Sequence, residues 1–298
     1  MNITKNMLIG FATIICSIAF LLLVAAPAQI RLGLLGLGIT EIGLLVIALL
    51  GCLLLKSGLK DTFPLKRPRF TEFRGSAYIY ISVYFFTIGV SILLLFVFPG
   101  MQEVSNALIE FFSEGGVLLF VVVSLLPGIC EEALFRGTIQ SAFRSMKSTA
   151  AIVIIVGGLF GLFHLDIYRF LPTMILGMGF SYIMIKTGNL LYSIFLHALH
   201  NFFGIIPILW GNASDAATSL GDAADVMAES GMNTLTLTGI VIAFFSIGLL
   251  FLRLGVRRLN DKNAGGEGKI KRIVFNIVCI IILLLGLALA GLGAMQTV

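Results

Sequence analysis

Charge is scarce in this 298-residue chain: Asp, Glu, Lys and Arg make up 12% of it, against 58% hydrophobic residues. With a mean hydropathy of +1.06, that balance excludes an ordinary soluble domain and describes a chain whose solvent is mostly lipid. Cysteine is sparse too. Cys16, Cys52, Cys130 and Cys279 all fall inside apolar segments without metal-ligand spacing, which excludes a disulfide framework or a zinc knuckle. Three histidines are all the chain has, and no pair of them sits four apart on one helix, the arrangement of the common soluble zinc proteases. There is no internal repeat and no separate soluble domain. A net charge of +5 would suggest nucleic acid in a soluble protein; here it sits in short loops between apolar runs, so no nucleic-acid partner is expected.

What is present is a succession of apolar stretches near the roughly 20 residues that a hydrocarbon core about 30 Å thick requires. Nine candidates run approximately from Met7 to Pro27, Leu32 to Leu55, Ser76 to Phe98, Gly116 to Arg144, Thr149 to Leu165, Phe170 to Ile185, Leu190 to Trp210, Leu235 to Leu252 and Ile273 to Met295. The expected fold is therefore all-α and polytopic, with about nine transmembrane helices and the active site inside the bundle. The first stretch lacks a small-residue cleavage pattern and reads as a retained helix. Loops after even-numbered stretches are basic, as in Lys56, Lys60, Lys66, Arg67, Arg69 and Arg74, whereas odd loops carry Glu103, Glu110, Glu114, Asp215, Asp222, Asp225 and Glu229. The bias of Lys and Arg toward the cytoplasm then puts the amino terminus inside and the carboxyl terminus outside. Three regions follow: 1–115 with its basic cytoplasmic loop, a core at 116–210, and 211–298 with an external loop and two final helices. Glu103 to Glu114 reads as an amphipathic surface stretch or a solvated loop; Gly211 to Asn233 and Asn260 to Gly268 read as loops.

Ionised side chains at the bilayer centre cost from about 2.5 to well above 10 kcal/mol each, so those inside the stretches need partners or a cavity. They are few: Glu41, Glu131, Glu132, Arg136, His164, His197 and His200, with Asn201 as a polar neighbour. Residues four apart share a helix face, so Glu132 can pair with Arg136 while Glu131 points roughly 100° away. His197 shares a face with Asn201, and Phe160 can pack on His164. Pro127-Gly128 can kink the fourth stretch beside the carboxylates. Counting about 1.5 Å per residue from the cytoplasmic ends puts Glu131, His164, His197 and Asn201 at depths of roughly 16 to 22 Å, one layer.

A carboxylate base, imidazoles and an amide donor at one depth are the parts for hydrolysing a peptide bond. Glu131 would take a proton from water, His164 would hold that water, and His197 with Asn201 would stabilise the oxyanion, while Glu132 and Arg136 form a structural ion pair. The same residues permit a zinc version, with His164, His197 and Glu131 as ligands, and the spacing does not decide between the two. His200 and Glu41 fill no place in this scheme.

Glu131-Glu132-x-x-x-Arg136, Phe160-x-x-x-His164 and His197-x-x-x-Asn201, in that order on successive apolar segments, resemble the three motifs of the CPBP family of intramembrane proteases. That family includes CaaX prenyl endopeptidases and Abi bacteriocin-immunity proteins. The resemblance covers about Leu118 to Ile206, in the wording CEEALFRG, GLFGLFHL and FLPTMILGMGFSYIMIKTGNLLYSIFLHALHNFFG, and Gly58 to Arg74 resembles the loop before the core in some bacterial members. It implies an intramembrane endopeptidase of a prokaryotic cell membrane that acts on a membrane protein or peptide. All six residues then stand at active-site positions, and metal dependence is disputed. A non-catalytic membrane immunity or chaperone protein is the alternative; an ion-coupled transporter fits less well, because no inverted halves are visible.

Overall fold

The computed structural model describes residues 3–98, 112, 116–210, 233–260 and 269–295; among these the regular structure is helical and no strand occurs. Helices are what an apolar chain forms in lipid, since each satisfies its own backbone groups where water is absent. In order they are α1 Thr4–Leu32, α2 Leu34–Leu55, α3 Phe70–Val97, α4 Gly116–Phe143, α5 Thr149–Phe163, α6 Ile167–Thr187, α7 Leu190–Trp210, α8 Thr234–Asn260 and α9 Lys269–Met295. The amphipathic reading of Glu103 to Glu114 and the loops at 211–232 and 261–268 lie outside the described residues, save residue 112.

Seven of these helices are long and apolar enough to cross a membrane. Beside these seven stand two more apolar helices at expected positions: α5, whose 15 residues fall short of the roughly 20 of a spanning helix, and α7, which has 21. Those two carry the second and third motifs. Boundaries also move: α3 begins at Phe70 rather than Ser76, and α8 continues to Asn260 rather than Leu252. Both extensions carry charged residues, so a hydropathy reading ends at the charges while the helix does not. α1 runs through Pro27 because that proline opens the stretch Ala26–Leu32 after a π-helical turn at Leu21–Ala25, where its missing N–H is tolerated.

α1 and α2 form a tight hairpin. Gly33 takes φ +55° at the turn, and Gly36 lies so close to the Ala28 carbonyl that a Cβ would collide with it. α2 then lies along α4, where the Thr138 hydroxyl donates to the Ala48 carbonyl at 2.7 Å.

Two apolar clusters divide the molecule. One joins α1, α2, α4 and α5 through Ile14, Leu44, Ala48, Leu134, Phe135, Val156 and Phe160; the other joins α3, α6 and α7 through Ile79, Val83, Phe180, Ile183 and Leu196. The polar layer lies where the clusters meet, between Phe160 of the first and Phe180 of the second. α8 packs on α3 and α9 on α8, with glycines at the close approaches: Gly89 on Phe245, Gly248 on Phe86, and Gly239 on the Gly286 carbonyl. Small residues let helix backbones meet where lipid offers no hydrophobic drive.

Candidate active site

α4 is the helix that carries the charge, and it is irregular on both sides of it. Its hydrogen bonding widens to π-helical turns at Phe120–Leu125 and Ala133–Ile139, flanking Leu126–Glu132. Pro127, lacking an N–H, sits in the first turn of the middle piece and explains the first widening. The second contains Arg136; π-turns of this kind occur frequently at functional sites.

Glu132 and Arg136 are fully buried, and Nη1 of the guanidinium donates to Glu132 Oε1 at 2.7 Å. Nη2 donates to the Gly177 carbonyl of α6 at 3.0 Å, and the guanidinium lies 4.5 Å from the Phe160 ring centroid and 5.3 Å from that of Phe180. The cation is held by a carboxylate, a carbonyl and ring faces, while its Nε has no hydrogen-bond partner among the described residues.

The pair does more than spacing suggested. His197 Nδ1 lies 2.9 Å from the same Glu132 Oε1, so Glu132 accepts from a guanidinium on its own helix and an imidazole on α7. A carboxylate only accepts, which makes Nδ1–H the donor and turns Nε2 toward Glu131 Oε2 at 4.0 Å. The imidazole is 3% exposed, stacked on Phe180 at 5.3 Å and met edge-on by Phe160 at 5.7 Å. Glu132 therefore orients His197 as well as pairing with Arg136.

Glu131 is buried, and its Oε2 has no hydrogen-bond partner among the described residues. His164 ends α5, where its Nδ1 lies 2.8 Å from the Phe160 carbonyl; that nitrogen donates, so Nε2 is left as an acceptor. Phe160 meets His164 at 4.9 Å, so the two imidazoles flank one ring. Asn201 is half-buried one turn beyond His197 on α7.

Other groups take places that spacing did not give. His200 faces the edges of Tyr80 and Tyr84, at 6.2 and 5.9 Å, away from the carboxylates. Arg169, in the first turns of α6, reaches Glu131, His164 and His200 electrostatically; its position five residues after His164 was the only sequence signal for it. Gln140 is buried and donates to the Ser181 carbonyl at 3.3 Å. Two openings lie along these helices, the first reaching the layer at Arg136. A cavity of about 470 Å³ on the basic side is lined by Lys60, Lys66, Arg144 and Arg136, and an apolar groove of about 560 Å³ lies between α4 and α7, lined by Phe120, Ser124, Phe195, Ala198 and Phe202.

As to zinc, no group of three or more His, Cys, Asp or Glu side chains among the described residues is arranged to hold a metal ion. Glu131 approaches His197 at 4.0 Å, and nothing among the described residues brings His164 into a metal-holding group of three with them. The donor set of His164, His197 and Glu131 does not fit a zinc cage, and no step below passes through a metal.

Fold and site together define an all-α polytopic membrane protein with a buried carboxylate–histidine layer where its helices meet. Residues 113–203 match the sequence model of the family described as "Type II CAAX prenyl endopeptidase Rce1-like". The chain is also 28% identical over 161 residues to "Uncharacterized protein YyaK" of Bacillus subtilis (strain 168), covering 47% of this chain and 52% of that protein. The chain thus spans about half the length of that curated relative. No solved structure matches. The two matches support the CPBP family, and the family match supports a CAAX-type intramembrane endopeptidase in general terms.

Proposed function

We propose that the chain is an intramembrane endopeptidase that cleaves a peptide bond of a membrane-associated protein or peptide with a glutamate-activated water. One observation carries the reading: Glu132, locked by Arg136, aims His197 Nε2 at a Glu131 carboxylate that has an unbonded oxygen. A buried carboxylate is tolerated when something uses it.

Water held at His164 Nε2 gives a proton to Glu131, and its oxygen attacks the carbonyl carbon. The developing oxyanion accepts from the Asn201 amide and from Nε2–H of a doubly protonated His197, whose Nδ1–H stays on Glu132. Glu131 then returns its proton to the departing amine, and the C–N bond breaks. The apolar groove between α4 and α7 fits a lipid chain or an apolar segment of the substrate entering from the bilayer. In this reading the chain sits in a prokaryotic plasma membrane with its amino terminus in the cytoplasm.

The test uses the purified full chain in lipid nanodiscs and three internally quenched peptides: one farnesylated at a C-terminal Cys-aliphatic-aliphatic-X box, one acylated there and one unlipidated. Cleavage of a lipidated peptide that is lost in Glu131→Ala and His164→Ala, both folded by thermal unfolding, supports the reading. Normal cleavage by both variants, or cleavage by no form, contradicts it. A chelator arm asks about metal separately: rates unchanged by chelation agree with water activation by Glu131 alone.

A further inference from the structure

Glu41, on α2, is a buried acid that the steps above do not employ. It is 5% exposed, and its Oε2 has no hydrogen-bond partner among the described residues. An unpaired carboxyl at membrane depth is costly enough to require a reason.

Its place along α2 supplies one. Thr138 on α4 donates to the Ala48 carbonyl on α2, and a Cβ on Gly51, nearly one turn later, would touch the Thr138 methyl. Seven residues before Ala48 is Glu41, and seven before Thr138 is Glu131. Seven α-helical residues rise about 10 Å, and the π-helical turn at Ala133–Ile139 shortens that slightly on α4, so where the two helices run side by side in the same direction the acids stand within about one turn of each other. Packing of α2 on all three pieces of α4, and electrostatic interaction of Glu41 with Glu131 and with Cys130, agree with that register. Two acids from separate helices thus share one dry layer, each with an unbonded oxygen. Glu132 also leaves its Oε2 unbonded among the described residues, but its Oε1 already accepts from Arg136 and His197.

Two bare carboxylates in one dry layer repel in a low dielectric, so such a pair carries one proton between its members. We propose that Glu41 is a positioning residue for Glu131: its protonated carboxyl donates to the Glu131 carboxylate and fixes the rotamer in which the free oxygen faces the water. The proposal rests on Glu131 being the base. It also adds to the charge of Arg169 in keeping Glu131 ionised, since Arg136 is committed to Glu132. Glu41 holds its proton throughout; the proton that moves in the reaction passes from water to Glu131 and on to the amine.

The experiment compares Glu41→Leu and Glu41→Gln with the parent protein in nanodiscs on the farnesylated peptide, reading kcat and KM separately. Loss of the donor in Glu41→Leu lowers kcat on the order of 10²-fold with KM unmoved, as misplacement of a reacting group does. Glu41→Gln, whose amide still donates, recovers all but about threefold of it. A role in packing alone predicts the reverse: Leu fills the space, kcat stays at the parent value and thermal stability rises. Unchanged kcat in Glu41→Leu, or equal losses in both variants, overturns the inference. Should Glu41→Leu unfold, Glu41→Met takes its place at similar volume. Parent-like turnover by Glu131→Gln would instead sink the protease reading and the inference with it, as would no cleavage by any form; an inactive Glu131→Gln beside a fully active Glu41→Leu sinks the inference alone.

Discussion

α4 and α9 are both long apolar helices, yet 56% of the most apolar stretch of α4 is buried inside the protein against 11% of that of α9. α9 shows Ile277, Ile281, Leu284 and Leu285 to its surroundings; α4 turns Glu131, Glu132 and Arg136 inward and wraps them with Phe135, Phe160 and Phe180. Apolar composition does not distinguish a helix that faces lipid from one that faces protein. Ionisable residues do, because lipid does not solvate them and the chain must supply the partners itself.

The contrast predicts a ladder of effects. Arg136→Met should be the most damaging, because Glu132 would be left buried beside a thioether. Removing one partner of a buried pair costs about 3–5 kcal/mol, read as a large drop in thermal unfolding temperature in nanodiscs. Parent-like stability in that variant would mean the pair is not the anchor of α4. His164→Ala comes next and acts on rate: cleavage falls roughly 10² to 10⁴-fold while stability shifts little, since the half-buried ring fills less of the core than its neighbours. Gly239→Leu, on the other side of the molecule, drives a side chain into the Gly286 carbonyl and costs about 1–3 kcal/mol by overpacking. Its effect should be on stability, with kcat of the folded protein unmoved, and a lost kcat would tie the α8–α9 pair to the site. Smallest of all, Leu284→Ala on the exposed face of α9 should shift stability by no more than about 0.5 kcal/mol.

Much of the site was legible along the chain. Spacing paired Glu132 with Arg136, and counting residues from basic loops put Glu131 and His197 at a shared depth; the two meet at 4.0 Å. Local rules reach that far because helix rise and face are fixed by geometry. They do not reach the bond from His197 to Glu132, 65 residues apart, which depends on how α7 crosses α4. The same holds for Glu41, which looked isolated on α2 because nothing in its own segment points to α4. The two π-helical turns were invisible as well, except for Pro127 beside the first. Nor did hydropathy separate the short helix α5 from full-length spans, since length in the folded helix, not apolarity, makes the difference.

Most directly at stake is Glu131 as the base that activates water. The deciding measurement is the initial rate of peptide cleavage by the parent protein and by Glu131→Gln, side by side in identical nanodiscs and normalised to folded protein. An amide of the same shape cannot take the proton, so the rate should fall by at least about 10²-fold while the unfolding temperature holds. Equal rates would contradict the account.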